Sequence, residues 1–385
     1  MTGTGMTGTG MTGTGMTAIE REWVSSVSPT AGAAGHGPNP CQGIYHRTTG
    51  RRPTTAFIAT HYNVDFSEHY LAPLLAEHGF GFLGWNTRYR GNEAYFLLEH
   101  AVVDIGVGVR WLRETAGVET VVVLGNSGGG SLMAAYQSQA TAPDIRPARG
   151  TQLTDAVADL PAADLYVSLN AHPGRPEVLT SWLDAAIVDE HEPFVRDDDL
   201  DLFDRRHGPP FEPEFVARYR AAQVARNERI TDWAIAELDR LAAADLARDR
   251  LFLLHGVWAD PRFVDLTLDP SDREPGCYAG DPARANAGVL GIGRTNTLRS
   301  WLSMWSLRES DCRGAPHLGR IDVPALVVQS TADRGVFPSD ARAIHEALGS
   351  TDRTLEFVPG EHYFETGGRD HVAELISDWV STRTR

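Results

Sequence analysis

Cysteine is scarce in this chain: Cys41, Cys277 and Cys312 are the only three in 385 residues, and no spacing among them resembles a metal site. The odd count leaves a complete disulfide pairing impossible, keeps a Cys277–Cys312 bridge open, and makes cytoplasmic residence the default expectation. No apolar stretch approaches the roughly 20 residues that span a bilayer. Positive charge is also short, with 35 Lys and Arg against 51 Asp and Glu and a formal net charge of −16. Nucleic acid and anionic membrane surfaces both call for basic patches, so neither is an expected partner. The N-terminus has neither the basic start nor the apolar segment of a secretory signal. In their place stand three MTGTG units, with Met16 following as a candidate translation start. A Gly/Thr tract cannot bury enough surface to fold, so residues 1–20 are expected to be disordered.

What is present is ordinary for a globular protein: 42% hydrophobic and 22% charged residues, at a length suited to one large domain or a domain with an insertion. After a Gly/Pro-rich lead-in, Thr55 to Thr60 has the pattern of a buried strand, Phe66 to His78 of a helix, and Phe80 to Trp85 of a second strand. Between Glu93 and Ala116 the apolar residues Leu98, Val102, Ile105, Val109 and Leu112 step by four and three, which predicts a helix with one buried face. Thr120 to Leu124 and Leu165 to Leu169 continue the strands. The alternation then stops and resumes with a strand at Ala325 to Gln329, a helix at Ser339 to Leu348, a strand at Thr354 to Val358 and a last helix carrying Val372, Leu375, Ile376 and Trp379. Strands alternating with helices imply an α/β fold: a doubly wound, mostly parallel sheet covered on both sides. Residues 21–172 and 321–385 form its core, and residues 173–320 an inserted, largely helical cap with a long helix from Glu212 to about Ala247.

Within that frame, Gly125-Asn126-Ser127-Gly128-Gly129 connects a β-branched strand to a good helix former. A serine at such a tip needs a strained backbone, flanking glycines let neighbouring chain pass close by, and the helix N-terminus favours developing negative charge. A structural turn is the plain alternative. A serine hydroxyl needs a base, and an imidazole needs a carboxylate to fix its tautomer. In a doubly wound sheet both belong on loops at the carboxyl ends of strands. Asp333 follows the Ala325 to Gln329 strand, and His362 follows the Thr354 to Val358 strand. The competing His69, His78, His100, His345 and His371 fall in predicted helices.

The order Ser127, Asp333, His362 resembles that of the α/β-hydrolases, as do the elbow around Ser127 and the Gly360-Glu361-His362 loop. The resemblance covers nearly the whole chain from about Gly43 and implies the α/β-hydrolase fold with a cap. It also implies an oxyanion hole from the Gly128 N–H and a second N–H in the loop after the first predicted strand. Many relatives read His-Gly-X there, and this chain reads His61-Tyr62-Asn63, so the second donor is Tyr62 or Asn63. His61 is expected to brace that loop beside the substrate. Arg88, with Arg90, suits a substrate carboxylate, or braces the acidic cap through salt bridges. Trp301 and Trp305 stand at helical spacing, as core or as a substrate-facing wall.

The expected activity is hydrolysis of a carboxylic ester or lactone, with a small and apolar substrate and no metal or organic cofactor. Cleavage of a C–C or amide bond, acyl transfer on the same three residues, and a non-catalytic binding protein on this fold are the alternatives. The sequence is silent on oligomeric state and leaves a homo-oligomer open.

Overall fold

The computed structural model describes residues 18–31 and 37–384. Ten strands occur among them: β1 Ile19–Ser26, β2 Cys41–Thr48, β3 Thr55–Ala59, β4 Gly81–Asn86, β5 Thr120–Asn126, β6 Leu165–Leu169, β7 Leu251–Leu253, β8 Thr295–Thr297, β9 Ala325–Ser330 and β10 Arg353–Val358. Eight of them form one sheet in the order β1-β2-β4-β3-β5-β6-β9-β10, while β7 and β8 pair separately. Only β2 runs against its neighbours; from β4 to β10 every pairing in that sheet is parallel.

The central strands are buried on both faces, and their successive side chains feed two different cores. Ala56, Ile58, Val121, Val123, Tyr166 and Val327 point to one face. There they meet the helices Leu98–Trp111, Gly129–Thr141 and Pro338–Ala347. Phe57, Ala59, Val122, Leu124, Val167 and Leu326 point to the other, against the helices Ala72–Glu77 and Arg369–Ser381. The chain leaves β3 for β4 on one side and returns to β5 on the other. The sheet thus reverses its order between β3 and β5, and the crevice at their carboxyl ends is the natural place for a ligand.

Several expectations need correction. Ile19 and Glu20 are not disordered: they pair with Thr48 and Arg47, and Arg47 adds an ion pair to Glu20 at 3.0 Å. Ala18 also accepts from the Thr49 N–H at 2.9 Å, and residues 1–17 of that predicted segment lie outside the described residues. The lead-in thus contains two strands, and β1 escaped notice because only Val24 in it is buried. The helix expected from Phe66 shrinks to Ala72–Glu77, since Asn86 Oδ1 accepts from the Phe66 N–H and holds that residue at the end of β4. The helix expected over Glu93 to Ala116 is interrupted near Leu97, which is extended, and closes in a wide turn at Leu112–Ala116.

Between β6 and β9 the chain builds the helix Arg175–Trp182, the 31-residue helix Pro213–Ala243 and the β7–β8 ribbon. Phe211, Phe215, Tyr219 and Leu202 give this segment a small core of its own. All three cysteines are buried free thiols, so the Cys277–Cys312 bridge is not formed. Among the described residues no helix is long and apolar enough to cross a membrane.

Candidate active site

Ser127 sits where β5 passes into the helix Gly129–Thr141, with φ of +59°. This left-handed conformation costs about 1–3 kcal/mol for a non-glycine residue and persists only where surroundings enforce it. Here they do: the Ser127 N–H donates to Leu169 and Asn170 carbonyls, and the Ser127 carbonyl accepts from Gly130 and His172 N–H groups, all at 3.1 Å. The flanking glycines permit the tight pass. A Cβ on Gly125 would lie 2.6 Å from the Gly130 Cα, and one on Gly129 would strike the Thr60 carbonyl of the β3 end.

Two further strand ends bring the partners. Asp333, beyond β9, and His362, beyond β10, meet with Asp333 Oδ2 2.6 Å from His362 Nδ1. The other oxygen, Oδ1, accepts from the Gly335 and Val336 N–H groups at 2.9 and 3.0 Å. His362 Nε2 is buried and has no hydrogen-bond partner among the described residues. The residue His362 lines a cavity of about 400 Å³ together with Ser127, His61, Asn63, His172, Arg175 and Trp182. The Ser127 hydroxyl lies beside the Tyr363 phenol, which burial pushes above its ordinary pKa.

The structure adds Tyr278, from the segment between β6 and β9. Its hydroxyl donates to Asp333 Oδ1 at 2.8 Å and stands 2.9 Å from His362 Nδ1. Its ring packs where any side chain on residue 335 would intrude, which explains the glycine there. Burial, reinforced by the Asp333 charge, raises this phenol well above its usual range, so it remains a neutral donor. Tyr278→Phe should therefore leave the fold intact and lower kcat about tenfold, the scale of one hydrogen bond. A kcat within threefold of wild type would reduce Tyr278 to packing.

The remaining predicted residues divide. His61 lines the cavity, and its Nδ1 is approached by the Asn63 and Val64 N–H groups at 3.3 and 3.2 Å. Asn63 also donates from Nδ2 to Glu93 at 3.0 Å. The Tyr62 side chain is fully buried, with its hydroxyl 3.1 Å from Ser131. Arg88 is not at the cavity and does not brace the cap: its guanidinium forms an ion pair of 2.6 Å with Asp104 on the core helix Leu98–Trp111 and also binds Ser28. An arginine so enclosed beside a carboxylate has no fork left for a substrate. Arg90 is spent on Asp65 and Gln42 at the surface. Trp301 is core, its Nε1 donating to Thr231, and Trp305 packs against Arg175.

No protein-family model matches the chain, and no curated protein matches its sequence. Solved structures do match its coordinates over nearly the full length. DcsB, solved in complex with its substrate analogue, is 12% identical over 94% of this chain and 99% of that one, with a TM-score of 0.51. The α/β hydrolase GrgF from Penicillium sp. sh18 is also 12% identical, over 94% and 97% of the two chains, with a TM-score of 0.50. The fold is that of the α/β-hydrolases. At this identity the likeness is one of architecture.

Burial lowers the pKa of five histidines of this α/β-hydrolase fold, His46, His61, His69, His172 and His317, and three of them bear on the cavity and its surroundings. His61 and His172, both at the cavity, lie well below their ordinary pKa, and His69, bonded to Asn126, is lowered to about 4. Unfolding exposes rings that take up protons near pH 6.5, so below that value the unfolded chain binds more protons than the native one and stability falls with pH. Each ring contributes a limiting slope of about 1.4 kcal/mol per pH unit. For His69 the loss ends near pH 4, where the folded ring also protonates. Denaturant midpoints should be clearly lower at pH 5 than at pH 7, and equal midpoints would refute the assignment of buried neutral rings.

Proposed function

We propose that the protein is a serine hydrolase that cleaves a carboxylic ester or lactone through an acyl-enzyme on Ser127. The observation that carries this reading is the His362 ring. Its Nδ1 is tied to Asp333 at 2.6 Å, while its Nε2 is unpartnered at a cavity shared with Ser127. A proton on Nδ1 leaves a lone pair on Nε2, and that is the form a general base needs.

In this reading Ser127 Oγ attacks the carbonyl carbon as its proton passes to His362 Nε2. The carbonyl π pair moves onto oxygen, which the Gly128 N–H receives at the start of the helix Gly129–Thr141, with Tyr62 or Asn63 as the second backbone donor. Collapse restores the C=O bond, breaks the bond to the alcohol oxygen, and returns the proton to that oxygen. Water repeats the sequence on the acyl-serine and releases the acid. Asp333 keeps the ring in the productive tautomer and offsets its charge when protonated. Trp182 and Trp258, stacked with centroids 4.8 Å apart on the cavity wall, favour an apolar group on the substrate.

A fluorophosphonate should form an adduct on Ser127 of the folded protein, located by peptide mass spectrometry. A panel of small esters and lactones should show turnover. Absence of both the adduct and turnover would favour a binding protein on the same fold.

A further inference from the structure

Arg175 opens the helix Arg175–Trp182 and is only 2% exposed. A guanidinium stays charged and carries five N–H donors, and burying one without acceptors is costly. Yet Nε and Nη2 are buried with no hydrogen-bond partner among the described residues. Glu93 Oε2 stands 3.8 Å from Nη2, and the two Glu93 oxygens already accept from Asn63 Nδ2 and the Gly293 N–H. Aromatic faces hold the cation instead: its centre lies 4.5 Å from the Tyr62 ring centroid and 5.1 Å from that of Trp305. The guanidinium borders the same cavity as Ser127 and His362.

Its position decides which anion it serves. A Cβ on Gly128 would lie 2.7 Å from Arg175 Nη1. Since a Cβ stands about 2.5 Å from its own backbone nitrogen, Nη1 is within about 5.2 Å of the Gly128 nitrogen. One oxygen accepting along its lone pairs bridges two donors about 5 Å apart. Nη1 therefore stands close enough to the Gly128 nitrogen for the two to share one oxygen. His61 Nε2 lies at the same 2.7 Å from that Cβ position and carries the neutral ring's proton when Nδ1 accepts from the Asn63 and Val64 N–H groups, but only the guanidinium adds a positive charge at every working pH. The Asn63 N–H, one candidate second donor, is directed at His61 Nδ1.

We propose that Arg175 is a catalytic residue whose Nη1–H donates, together with the Gly128 N–H, to the oxyanion formed when Ser127 attacks the ester or lactone carbonyl. This inference rests on the acyl-serine reading above. Arg175 transfers no proton: the carbonyl π pair moves to oxygen, the guanidinium hydrogen-bonds it, and the pair returns on collapse. A cation in place before the reaction needs no reorganisation when the charge appears.

The test compares wild type, Arg175→Met and Arg175→Lys on p-nitrophenyl butyrate, which is neutral, and mono-p-nitrophenyl succinate, which carries a carboxylate. Arg175→Met should lose about 10²–10³-fold in kcat on both esters, the scale of one oxyanion donor, with KM within threefold. A loss confined to the succinate and expressed in KM would overturn the proposal in favour of a carboxylate anchor. A kcat within threefold of wild type on both would make Arg175 structural. Should circular dichroism show Arg175→Met unfolded, Arg175→Lys decides, because it keeps the cation among the aromatic rings. A folded lysine variant at least tenfold slower on both esters supports the proposal, and one at wild-type kcat ends it. Failure of the wider reading looks different: wild-type protein would then show neither a Ser127 adduct nor turnover.

Discussion

Ser127→Ala is expected to lower kcat by about 10⁶-fold, the scale seen when a nucleophile that acts as a unit with its base is removed. The reason lies in how little else changes. Alanine keeps the Cβ, and the hydrogen bonds that hold φ at +59° come from the backbone of residues 127, 130 and 172 and from the carbonyls of 169 and 170. The turn, the cavity and the His362–Asp333 pair should all survive, and only the attacking oxygen is lost. Single-turnover hydrolysis of an activated ester, followed in protein shown to be folded, gives the measurement. Residual rate from water held in the same cavity should be small and should not accumulate an acyl-protein. Activity within tenfold of wild type would remove Ser127 from the chemistry.

Asp333→Asn should cost about 10⁴-fold in kcat while leaving stability nearly unchanged. Asp333 Oδ1 is fixed by two backbone donors, Gly335 and Val336, at 2.9 and 3.0 Å. An asparagine must place its oxygen there, since an NH₂ group facing two N–H donors would be repelled. That orientation turns the NH₂ toward His362 Nδ1, which now has to accept. The ring proton moves to Nε2, and the base disappears although only one carboxylate oxygen is replaced, by a group of almost identical shape. Crystallography or histidine ¹⁵N shifts of the variant should show the altered tautomer. An intact rate with the altered tautomer would sever the link between Asp333 and catalysis.

The central sheet was legible because its strands carry near-continuous aliphatic runs and its helices carry one apolar stripe, signals that survive without any knowledge of neighbours. Three strand ends suggested Ser127, Asp333 and His362, and the coordinates place Ser127 and His362 on one cavity, with Asp333 bonded to the His362 ring. β1 was invisible for the opposite reason: as an edge strand with one buried residue, it is held by pairing and by Arg47 more than by pattern. Arg175 and Tyr278 were missed because nothing local marks them. Arg175 follows an unremarked Pro-Gly turn and Tyr278 lies in an irregular stretch. Both acquire meaning only when the long insertion folds back over the strand ends. Arg88 shows the converse: a loop arginine at a strand end looks available for a ligand until its helix partner Asp104, 16 residues on, is seen.

The segment between β6 and β9 supplies one residue that touches the Asp333–His362 pair and another whose guanidinium stands beside Gly128. It is therefore not an ornament that evolution or an engineer could exchange freely to retune selectivity. A graft from another protein of this fold would arrive without its tyrosine and arginine, and in the proposed reading would have to rebuild part of the reaction centre before it could choose a new substrate.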